Sequence, residues 1–384
     1  MKITGIICEY NPLHLGHKKQ IDHVRRTGTE DCGIVCLMSG NFVQRGAPAI
    51  VDKMRRAQAA VRCGADLVLE LPVTYALSSA EGFAAGGVRI LSGFCDTLCF
   101  GAETADPQAL LSIAQSLLRE DFSKFLKEYL AEGISFPAAR EAALTAMGCD
   151  ASLLKTPNNI LAVEYCKAIL AQNSAMQPMP ILRQGSYHDN LPDPENPSAT
   201  AIRSLMAGDA WRPYVPKEAT ECFDGAPLHT LAAGERAILM RLRTMTDAEF
   251  EALPYCSEGL WRKFMRESRQ KATVEEILSA TKSKRYTRTR LDRMLMCAFL
   301  GITEKDLAQD IPYVRILALN DRGRQILKQG NASIAPINIG TPVDHPYAAL
   351  EARCDDLYGL FSTGIPEPPG ANDAYRVHYQ GGTL

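Results

Sequence analysis

The sequence predicts an α/β fold, a parallel sheet with helices on both faces, followed by a mainly helical C-terminal region with a small α/β element. Two observations predict it. Short, nearly continuous apolar segments alternate with helical segments over the first hundred residues. Strands of this kind are typical of parallel sheets that are buried on both faces. After about residue 210 the segments become mostly helical, with one further apolar strand.

The elements of the first half follow from apolar runs and from their end signals. Asp52 and Ser79 are good N-caps, and Thr156-Pro157 places a cap before a proline at the first helical position. Residues 107–171 look mostly helical, and a helix opens at Ser198. We expect strands over Ile3–Cys8, Gly33–Met38, Leu67–Leu71, Thr97–Phe100 and Met179–Leu182, and helices over His17–Arg26, Asp52–Cys63 and Ser79–Leu91.

The second half begins with the region around Trp211–Pro227, which its composition indicates to be a linker. The tail from Thr363 is rich in Pro and Gly and is typical of partial disorder. The expected domains are 1–210 and 211–384. Helices are expected over Leu228–Thr244, Leu260–Glu267, Val274–Lys282 and Arg285–Leu300, and a strand over Val314–Leu319.

Bulk composition excludes several classes of protein. The 384 residues are 46% hydrophobic and carry a net charge of −2, so the whole molecule is not a strongly basic nucleic-acid binder. Twelve cysteines without a C-x-x-C pair indicate buried thiols in a reducing compartment. No segment approaches the ~18 apolar residues of a membrane span, and no leader is visible. We therefore expect a cytoplasmic enzyme.

The most informative motif is His14-Leu15-Gly16-His17, which lies between the first strand and the first helix. Imidazoles can donate to phosphate oxygens, and the glycine lets the backbone approach them. The helix start adds free N–H groups and a positive dipole end. The turn therefore predicts a phosphate site suited to attack on the α-phosphate of ATP. A metal site is disfavoured because no third ligand lies nearby in sequence.

A second candidate lies at the late helix start, where Ser198, Thr200 and Arg203 can hold β- and γ-phosphate oxygens. Taken alone, this pattern would indicate a simple N-cap with a solvated arginine. The run Lys53, Arg55 and Arg56 is interpreted as a solvated helix start.

A cluster of basic residues is the main candidate for contact with nucleic acid. Its cations would bind phosphates, and its tyrosine can stack on an unpaired base. The cluster stands out because the rest of the chain is slightly acidic. Its members are Lys282, Lys284, Arg285, Tyr286, Arg288, Arg290 and Arg293.

Four segments in order carry a resemblance to a known family. They are Glu9–His17, Met38–Gly46, Thr156–Leu161 and Lys284–Arg290. With the late Ser198–Arg203 segment, they resemble the bacterial tRNA(Met) cytidine acetate ligases, within the HIGH-motif nucleotidyltransferase superfamily. The resemblance runs over nearly the whole chain and implies a Rossmann-like nucleotidyltransferase domain, with tRNA binding in the C-terminal region.

The resemblance also implies a reaction. Acetate attacks the α-phosphate of ATP, and the acetyl group then passes to N4 of the wobble cytidine of elongator tRNA(Met). His14, His17, Ser198, Thr200 and Arg203 would be catalytic. From the chemistry of Mg²⁺ we expect the ion to accompany ATP, held mainly by the phosphates rather than by a dedicated protein site. The implied ATP contacts are Ile7, Cys8, Glu9, Tyr10, Asn11, Pro12, Leu13, Leu15, Gly16, Lys18, Lys19, Gln20, Gly101, Asn159 and Arg183.

Some alternatives stay open. Gln44 and Arg45 are candidates for contact with acetate or with the cytidine, or are plain loop residues. Asn158 is a second candidate for an ATP contact beside Asn159. A small-molecule adenylyltransferase on the same fold, or a non-catalytic tRNA-binding protein with a nucleotide site, would also carry the turn. The sequence does not indicate the oligomeric state.

Overall fold

The computed structural model describes residues 1–28, 31–183, 197–256, 259–365 and 375–381. The Pro-rich stretch 186–197 lies almost entirely outside the described residues, as does most of the tail from Thr363. The strands are β1 (Lys2–Cys8), β2 (Cys32–Ser39), β3 (Phe42–Val43), β4 (Ala47–Pro48), β5 (Leu67–Leu71), β6 (Thr97–Ala102), β7 (Gln177–Leu182), β8 (Tyr313–Asn320), β9 (Ala335–Asn338) and β10 (His378–Gln380).

The helices flank this sheet and then build the C-terminal region. They are α1 (Leu15–Thr27), α2 (Lys53–Arg62), α3 (Val73–Ala76), α4 (Ala80–Leu91), α5 (Pro107–Leu117), α6 (Glu120–Ala131), α7 (Phe136–Ala146), α8 (Pro157–Ala171), α9 (Ala199–Leu205), α10 (Lys217–Phe223), α11 (Glu235–Thr244), α12 (Asp247–Glu251), α13 (Leu260–Gln270), α14 (Val274–Thr281), α15 (Arg288–Leu300), α16 (Glu304–Ala308), α17 (Asp321–Gln329) and α18 (Pro346–Tyr358).

The main sheet has the order β10-β8-β5-β2-β1-β6-β7, with β9 paired to β8. Strands β1, β2, β5, β6 and β7 are parallel to one another. β2 and β5 are buried along their whole length, as expected for strands covered by helices on both faces. The predicted α/β class with a parallel sheet and a mainly helical C-terminal region is confirmed.

Strand β8 was predicted as part of a separate small α/β element, but it belongs to the main sheet. It does not form a separate small element but pairs antiparallel with β5, and so extends the sheet of the first half. Its residues Tyr313–Leu319 are buried because both faces are covered. The sheet is thus shared across residue 210, and the division of the chain there stays a prediction.

The region around Trp211–Pro227 is not a linker. It contains α10, which packs on α2, and the side chains of Trp211, Val215 and Phe223 are buried. Its prolines and glycine suggested a loop, but this short helix is held by tertiary packing rather than by its own propensity. All twelve cysteines are free thiols, and Cys149 alone among them is not buried. None of the described helices has the length and apolarity to cross a membrane.

Candidate active site

The histidine turn connects β1 to α1 at the carboxyl edge of the sheet. His14 is the N-cap of α1, and its Nδ1 accepts the N–H of Gly16 at 3.1 Å. The Nδ1 of His17 accepts the N–H of His14 at 3.3 Å. The two rings stack with centroids 3.7 Å apart. Since both Nδ1 atoms accept, each neutral ring carries its proton on Nε2 and presents it as a donor.

Gly16 fits closely under the ring of His14. A Cβ atom on it would lie 3.0 Å from Cε1 and 3.1 Å from Nδ1 of His14. A residue with a Cβ atom would therefore require the capping ring to shift by a few tenths of an ångström. The absence of a side chain at Gly16 therefore leaves room for the capping ring of His14, and the approach of a phosphate to this glycine stays a prediction.

The electrostatics of the turn favour a polyanion. Burial, with help from Arg183 and Arg203, lowers the pKa of His14 to about 3. Burial, His14 and Arg183 hold the pKa of His17 well below its ordinary value. At neutral pH the turn therefore offers two neutral imidazole donors beside two guanidinium groups. This arrangement places the cationic charge on arginines, which stay protonated, and leaves the imidazoles as hydrogen-bond donors.

The lowered pKa of His14 makes the stability of the protein depend on pH. Between pH 6.5 and 3 the unfolded chain takes up a proton that the folded chain refuses, so stability falls as the pH falls through this range. We expect the loss of unfolding free energy between pH 7.5 and 5 to be about 2 kcal/mol smaller in His14→Gln than in the wild type. Urea unfolding at the two pH values checks this. Equal losses in both proteins would contradict a neutral buried His14.

Arg203 ties α9 to the turn. Its Nη1 donates to the carbonyl of Asn11 at 2.9 Å, and its Nη2 donates to Thr200 Oγ1 at 2.9 Å. Ser198 Oγ accepts the N–H of Ala201 at 3.1 Å as the N-cap. An accepting hydroxyl keeps its own proton for donation. The three residues thus lie together beside the turn, and their contact with phosphate stays a prediction.

Glu103, a carboxylate that the sequence analysis did not single out, organises the start of α8. Glu103, just after β6, accepts from Thr156 Oγ1 at 2.9 Å and from the N–H of Asn159 at 2.7 Å. It also accepts from Asn158 Nδ2 at 2.7 Å. Although partial burial opposes it, these bonds lower the pKa of Glu103. Glu103 therefore caps α8, a role that we had expected for the side chain of Thr156.

The predicted ATP contacts Gly101, Asn159 and Arg183 lie in different environments. Arg183 Nη1 donates to Asn158 Oδ1 at 3.1 Å, so Glu103 and Asn158 together position Arg183. Asn159 is buried, and its side-chain amide bonds Thr104. A Cβ atom on Gly101 would meet nothing within 4 Å. Gly101 thus offers bare backbone to a ligand, whereas Asn159 shapes the loop after β6.

Comparison with known proteins decides the family. The model of the HIGH nucleotidyl transferase family matches residues 1–367. A tRNA(Met) cytidine acetate ligase of Clostridium novyi is 40% identical over 349 residues, which cover 86% of this chain and 87% of the relative. One of Acetivibrio thermocellus is 37% identical over 359 residues, covering 86% and 85% of the two chains.

The chain belongs to the tRNA(Met) cytidine acetate ligase family, within the HIGH nucleotidyltransferases.

Solved structures agree with this assignment. Apo TmcAL of Thermotoga maritima superposes with a TM-score of 0.91 at 30% identity, over 100% of both chains. The same protein bound with alpha-thio ATP gives a TM-score of 0.88 at 29% identity, over 99% of this chain and 100% of the other. The resemblance inferred from four sequence segments is confirmed.

In this member of the ligase family, part of the segment from Ile7 to Gln20 belongs to the hydrophobic core. The side chains of Tyr10 and Leu13 are buried in the core, and Tyr10 Oη lies 3.4 Å from Cys36 Sγ. Gln20 Nε2 donates to the carbonyl of Cys99 on β6 at 3.3 Å. The segment therefore joins β1, β2 and β6. Contact of its residues with nucleotide stays a prediction.

Gln44 and Arg45 lie at the tip of the β3–β4 hairpin. The N–H of Gln44 donates to Glu9 Oε1 at 2.7 Å, and its Nε2 donates to the carbonyl of Ser78 at 3.3 Å. Gly46, with a φ of +75°, lies so close to α15 that a Cβ atom would sit 2.4 Å from the N of Arg293. The hairpin thus bridges the histidine turn and α15, while Arg45 is exposed.

The interpretation of Lys53 and Arg56 as solvated is wrong, because both side chains are fully buried. Lys53 Nζ lies 3.0 Å from Glu70 Oε1 and 2.5 Å from Asp355 Oδ2. Burial alone would favour a neutral amine, but Asp355 and Glu70 raise the pKa of Lys53 above its ordinary value. Burial raises the pKa of Glu70 to about 7, against the opposing pull of Lys53.

Arg56 holds the carboxyl edge of the sheet together. Its Nη1 donates to the carbonyls of Glu9 at 2.6 Å and Ser39 at 3.0 Å, and its Nη2 to the carbonyl of Gly40. The ends of β1 and β2 are therefore fixed relative to each other. For the neighbouring Lys53, a signal was available in the sequence: Glu70 is a carboxylate within the apolar strand Leu67–Leu71, and a buried carboxylate is costly without a partner.

The members of the basic cluster differ in exposure and in their partners. Lys282, Lys284 and Arg285 are exposed on the loop between α14 and α15. Arg288 instead forms a bidentate pair with Glu275 at 2.7 and 2.8 Å. Arg293 is buried and lies 5.4 Å from the ring of Tyr255, so it does not present its charge to the surface as expected. Sequence spacing could not separate these roles, because the ion-pair partner lies on another helix.

Proposed function

We propose that this chain activates acetate with ATP as acetyl-adenylate and transfers the acetyl group to N4 of the wobble cytidine of elongator tRNA(Met). The observation that carries the proposal is the pair of neutral imidazole donors in the histidine turn, flanked by Arg183 and Arg203. Membership of the ligase family and the alpha-thio ATP complex of a structural neighbour support ATP as the substrate. We further propose that it works in the cytoplasm.

In the first step, a carboxylate oxygen of acetate attacks the α-phosphorus and the bond to the β-phosphate breaks. Acetate is already an anion at neutral pH, so no general base is needed. His14 and His17 would donate from Nε2 to the phosphate oxygens on which charge develops. Arg183 and Arg203 would bind the leaving pyrophosphate. Such donors act without reorganisation because the capping bonds already fix the rings.

In the second step, the cytidine amine attacks the carbonyl carbon of the acetyl-adenylate, and AMP leaves. The base must be splayed out of the anticodon loop to reach the sheet edge. Arg45 at the hairpin tip is our candidate for contact with acetate or cytidine. The exposed cations Lys282, Lys284 and Arg285 would supply phosphate contacts.

Mg²⁺ fits this site as a companion of the nucleotide. Among the described residues, no group of three or more His, Cys, Asp and Glu side chains is arranged to hold a metal ion. Mg²⁺ binds ATP phosphates readily and often keeps its waters. We therefore propose that the phosphates hold the ion, which would neutralise part of their charge.

The deciding experiment incubates the protein with ATP, labelled acetate and unmodified tRNA(Met). We expect label in the tRNA and N4-acetylcytidine after digestion. A small-molecule adenylyltransferase would release pyrophosphate with another acceptor and leave the tRNA unlabelled. A non-catalytic tRNA-binding protein would bind both ligands without releasing pyrophosphate, and either result would overturn the proposal.

Gly101 provides a test of where the nucleotide lies. Because a Cβ atom there meets nothing in the protein, Gly101→Val should fold normally. We expect the Kd for ATP to rise by about tenfold or more, since a clash of ~1.4 kcal/mol suffices for tenfold. Calorimetric titration with ATP measures it. Gly208→Val is the matched control, because a Cβ on Gly208 also meets nothing. Equal ATP affinity in both variants would place the nucleotide away from Gly101.

A further inference from the structure

A second cleft lies outside the histidine turn, between the described residues 251–256, 259 and 261 on one side and the helix α16 on the other. Its volume is about 560 Å³, which is ample for one ring system. Its described lining includes Tyr255, Trp261, Leu253, Leu307, Glu251 and Glu304. Nothing in the proposed chemistry of ATP and acetate uses this cleft.

Two aromatic residues line the cleft, and one of them has an unusual backbone. Tyr255 adopts a left-handed φ of 65°, which is costly for an aromatic residue. Its hydroxyl donates to the carbonyl of Leu77 at 3.0 Å. Trp261 is half-buried, and the guanidinium of Arg262 lies 4.9 Å from its ring. The fold thus holds an aromatic surface at the cleft at the expense of backbone strain.

A few hydrogen bonds connect the cleft to the chain segment between β1 and the histidine turn. Leu77, which accepts from Tyr255, is followed by Ser78, whose carbonyl accepts from Gln44 Nε2. The N–H of Gln44 in turn donates to Glu9 Oε1, between the end of β1 and the histidine turn. The cleft and the β3–β4 hairpin are therefore joined through Leu77 and Ser78.

Cations surround this aromatic surface. Arg290 Nε donates to the carbonyl of Tyr255 at 2.8 Å, and its guanidinium lies 5.0 Å from the ring of Tyr286. Tyr286 belongs to the loop that exposes Lys282, Lys284 and Arg285. A nucleic-acid backbone bound by this loop would pass beside the cleft.

The two carboxylates of the lining select what enters. Glu251 and Glu304 are both exposed at the cleft. They repel a phosphate group but accept hydrogen bonds from an exocyclic amine of a base. The cleft therefore favours a flat ring that bears an amine, with its phosphates held outside on the cations.

We propose that this cleft binds an unpaired, amine-bearing nucleobase from the loop of the RNA substrate, stacked on Trp261. This proposal rests on the proposed function, because it presumes an RNA substrate. The stacked base would be a neighbour of the cytidine that is acetylated, and its capture would hold the loop open beside the histidine turn.

The first test uses the wild-type protein and its intrinsic fluorescence. The chain has two tryptophans, and Trp211 is buried in the core at 3% exposure. We expect an anticodon stem–loop RNA of tRNA(Met) to quench the emission of Trp261, and a fully paired RNA of equal length to leave it unchanged. RNA binding without any quenching would overturn the proposal.

The second test separates stacking from packing. Trp261→Leu keeps an apolar side chain without a ring, and Trp261→Phe keeps a ring. We expect the Kd for the stem–loop to rise about 5- to 150-fold in Trp261→Leu, the range for a lost base–aromatic stack. Trp261→Phe should restore most of the affinity. Phe136→Leu is the matched control, an exposed ring that also lies beside an arginine.

Abasic substitutions in the RNA loop then identify the base. At one loop position, an abasic site should raise the Kd for the wild-type protein. The same abasic RNA and the intact RNA should have equal Kd values for Trp261→Leu, which has already lost the stack. Additive losses at every position, or an unchanged Kd in Trp261→Leu, would overturn the proposal. Acetate-dependent exchange of pyrophosphate into ATP should be equal in wild type and variant. Absence of acetyl transfer by the wild type, with Trp261 quenched by RNA, would instead overturn the proposed function alone.

Discussion

Replacement of His17 by alanine is expected to reduce acetate-dependent exchange of pyrophosphate into ATP by about 10²- to 10³-fold, the range for loss of one preorganised donor. The neutral ring of His17 carries its proton on Nε2, because its Nδ1 accepts the N–H of His14 at 3.3 Å. Alanine removes that donor and also the stacking partner of His14, whose ring centroid lies 3.7 Å away. On the proposed function, both losses would weaken contacts with the ATP phosphates.

Binding of tRNA should be nearly unchanged in His17→Ala, because the exposed cations of the 282–287 loop lie outside the turn. Filter binding with labelled tRNA(Met) measures this. His23→Ala on the same helix is the matched control and should keep exchange activity. Loss of tRNA binding with exchange preserved would contradict the role assigned to His17.

The second large effect concerns stability. We expect Lys53→Met to lower the free energy of unfolding by about 3–5 kcal/mol, the cost of breaking a buried ion pair. Methionine fills the volume of the side chain but leaves Glu70 and Asp355 without their cation in a buried site. Denaturant unfolding measures the loss. Lys155→Met is the control, because the Lys155–Glu141 pair at 3.6 Å is exposed and should contribute at most about 1 kcal/mol.

The defect of Lys53→Met should depend on pH. Without Lys53, the pKa of Glu70, already about 7 in the wild type, rises further. A carboxyl with a raised folded pKa supports the fold at low pH and loses that support as the pH rises through its folded pKa. The loss should therefore be smaller at pH 5 than at pH 8. If Lys53→Met and Lys155→Met lowered the free energy of unfolding equally, Lys53 would not form a buried ion pair with Glu70 and Asp355.

The buried group of Lys53, Glu70 and Asp355 is also linked to the candidate active site by hydrogen bonds. The N–H of Lys53 donates to Asn41 Oδ1 at 2.9 Å, and Asn41 Nδ2 donates to Asp355 Oδ1 at 2.8 Å. Helix α18, near the end of the chain, is thus tied to the loop after β2. Displacement of that loop would move the hairpin that carries Gln44 and Arg45.

Much of the fold could be predicted because its signals are local. The strand Leu67–Leu71 was predicted with its observed bounds, and Asp52 and Ser79 cap their helices as expected. Thr156 shows the limit of a local signal, since Glu103 from another element takes the capping role. Strand β8 was recognised as a strand, but its partner β5 lies more than two hundred residues earlier.

In the candidate site, too, local sequence signals predicted some features, whereas others depend on contacts between distant segments. The sequence by itself determined the histidine turn, the strand–turn–helix that presents it and the family, because each is written in contiguous residues. Only the tertiary structure decided which charges are buried. Lys53, Arg56 and Arg293 look like solvated cations in the sequence. They are held instead by carboxylates, carbonyls and rings from distant segments, because burial and pairing depend on which elements meet in space.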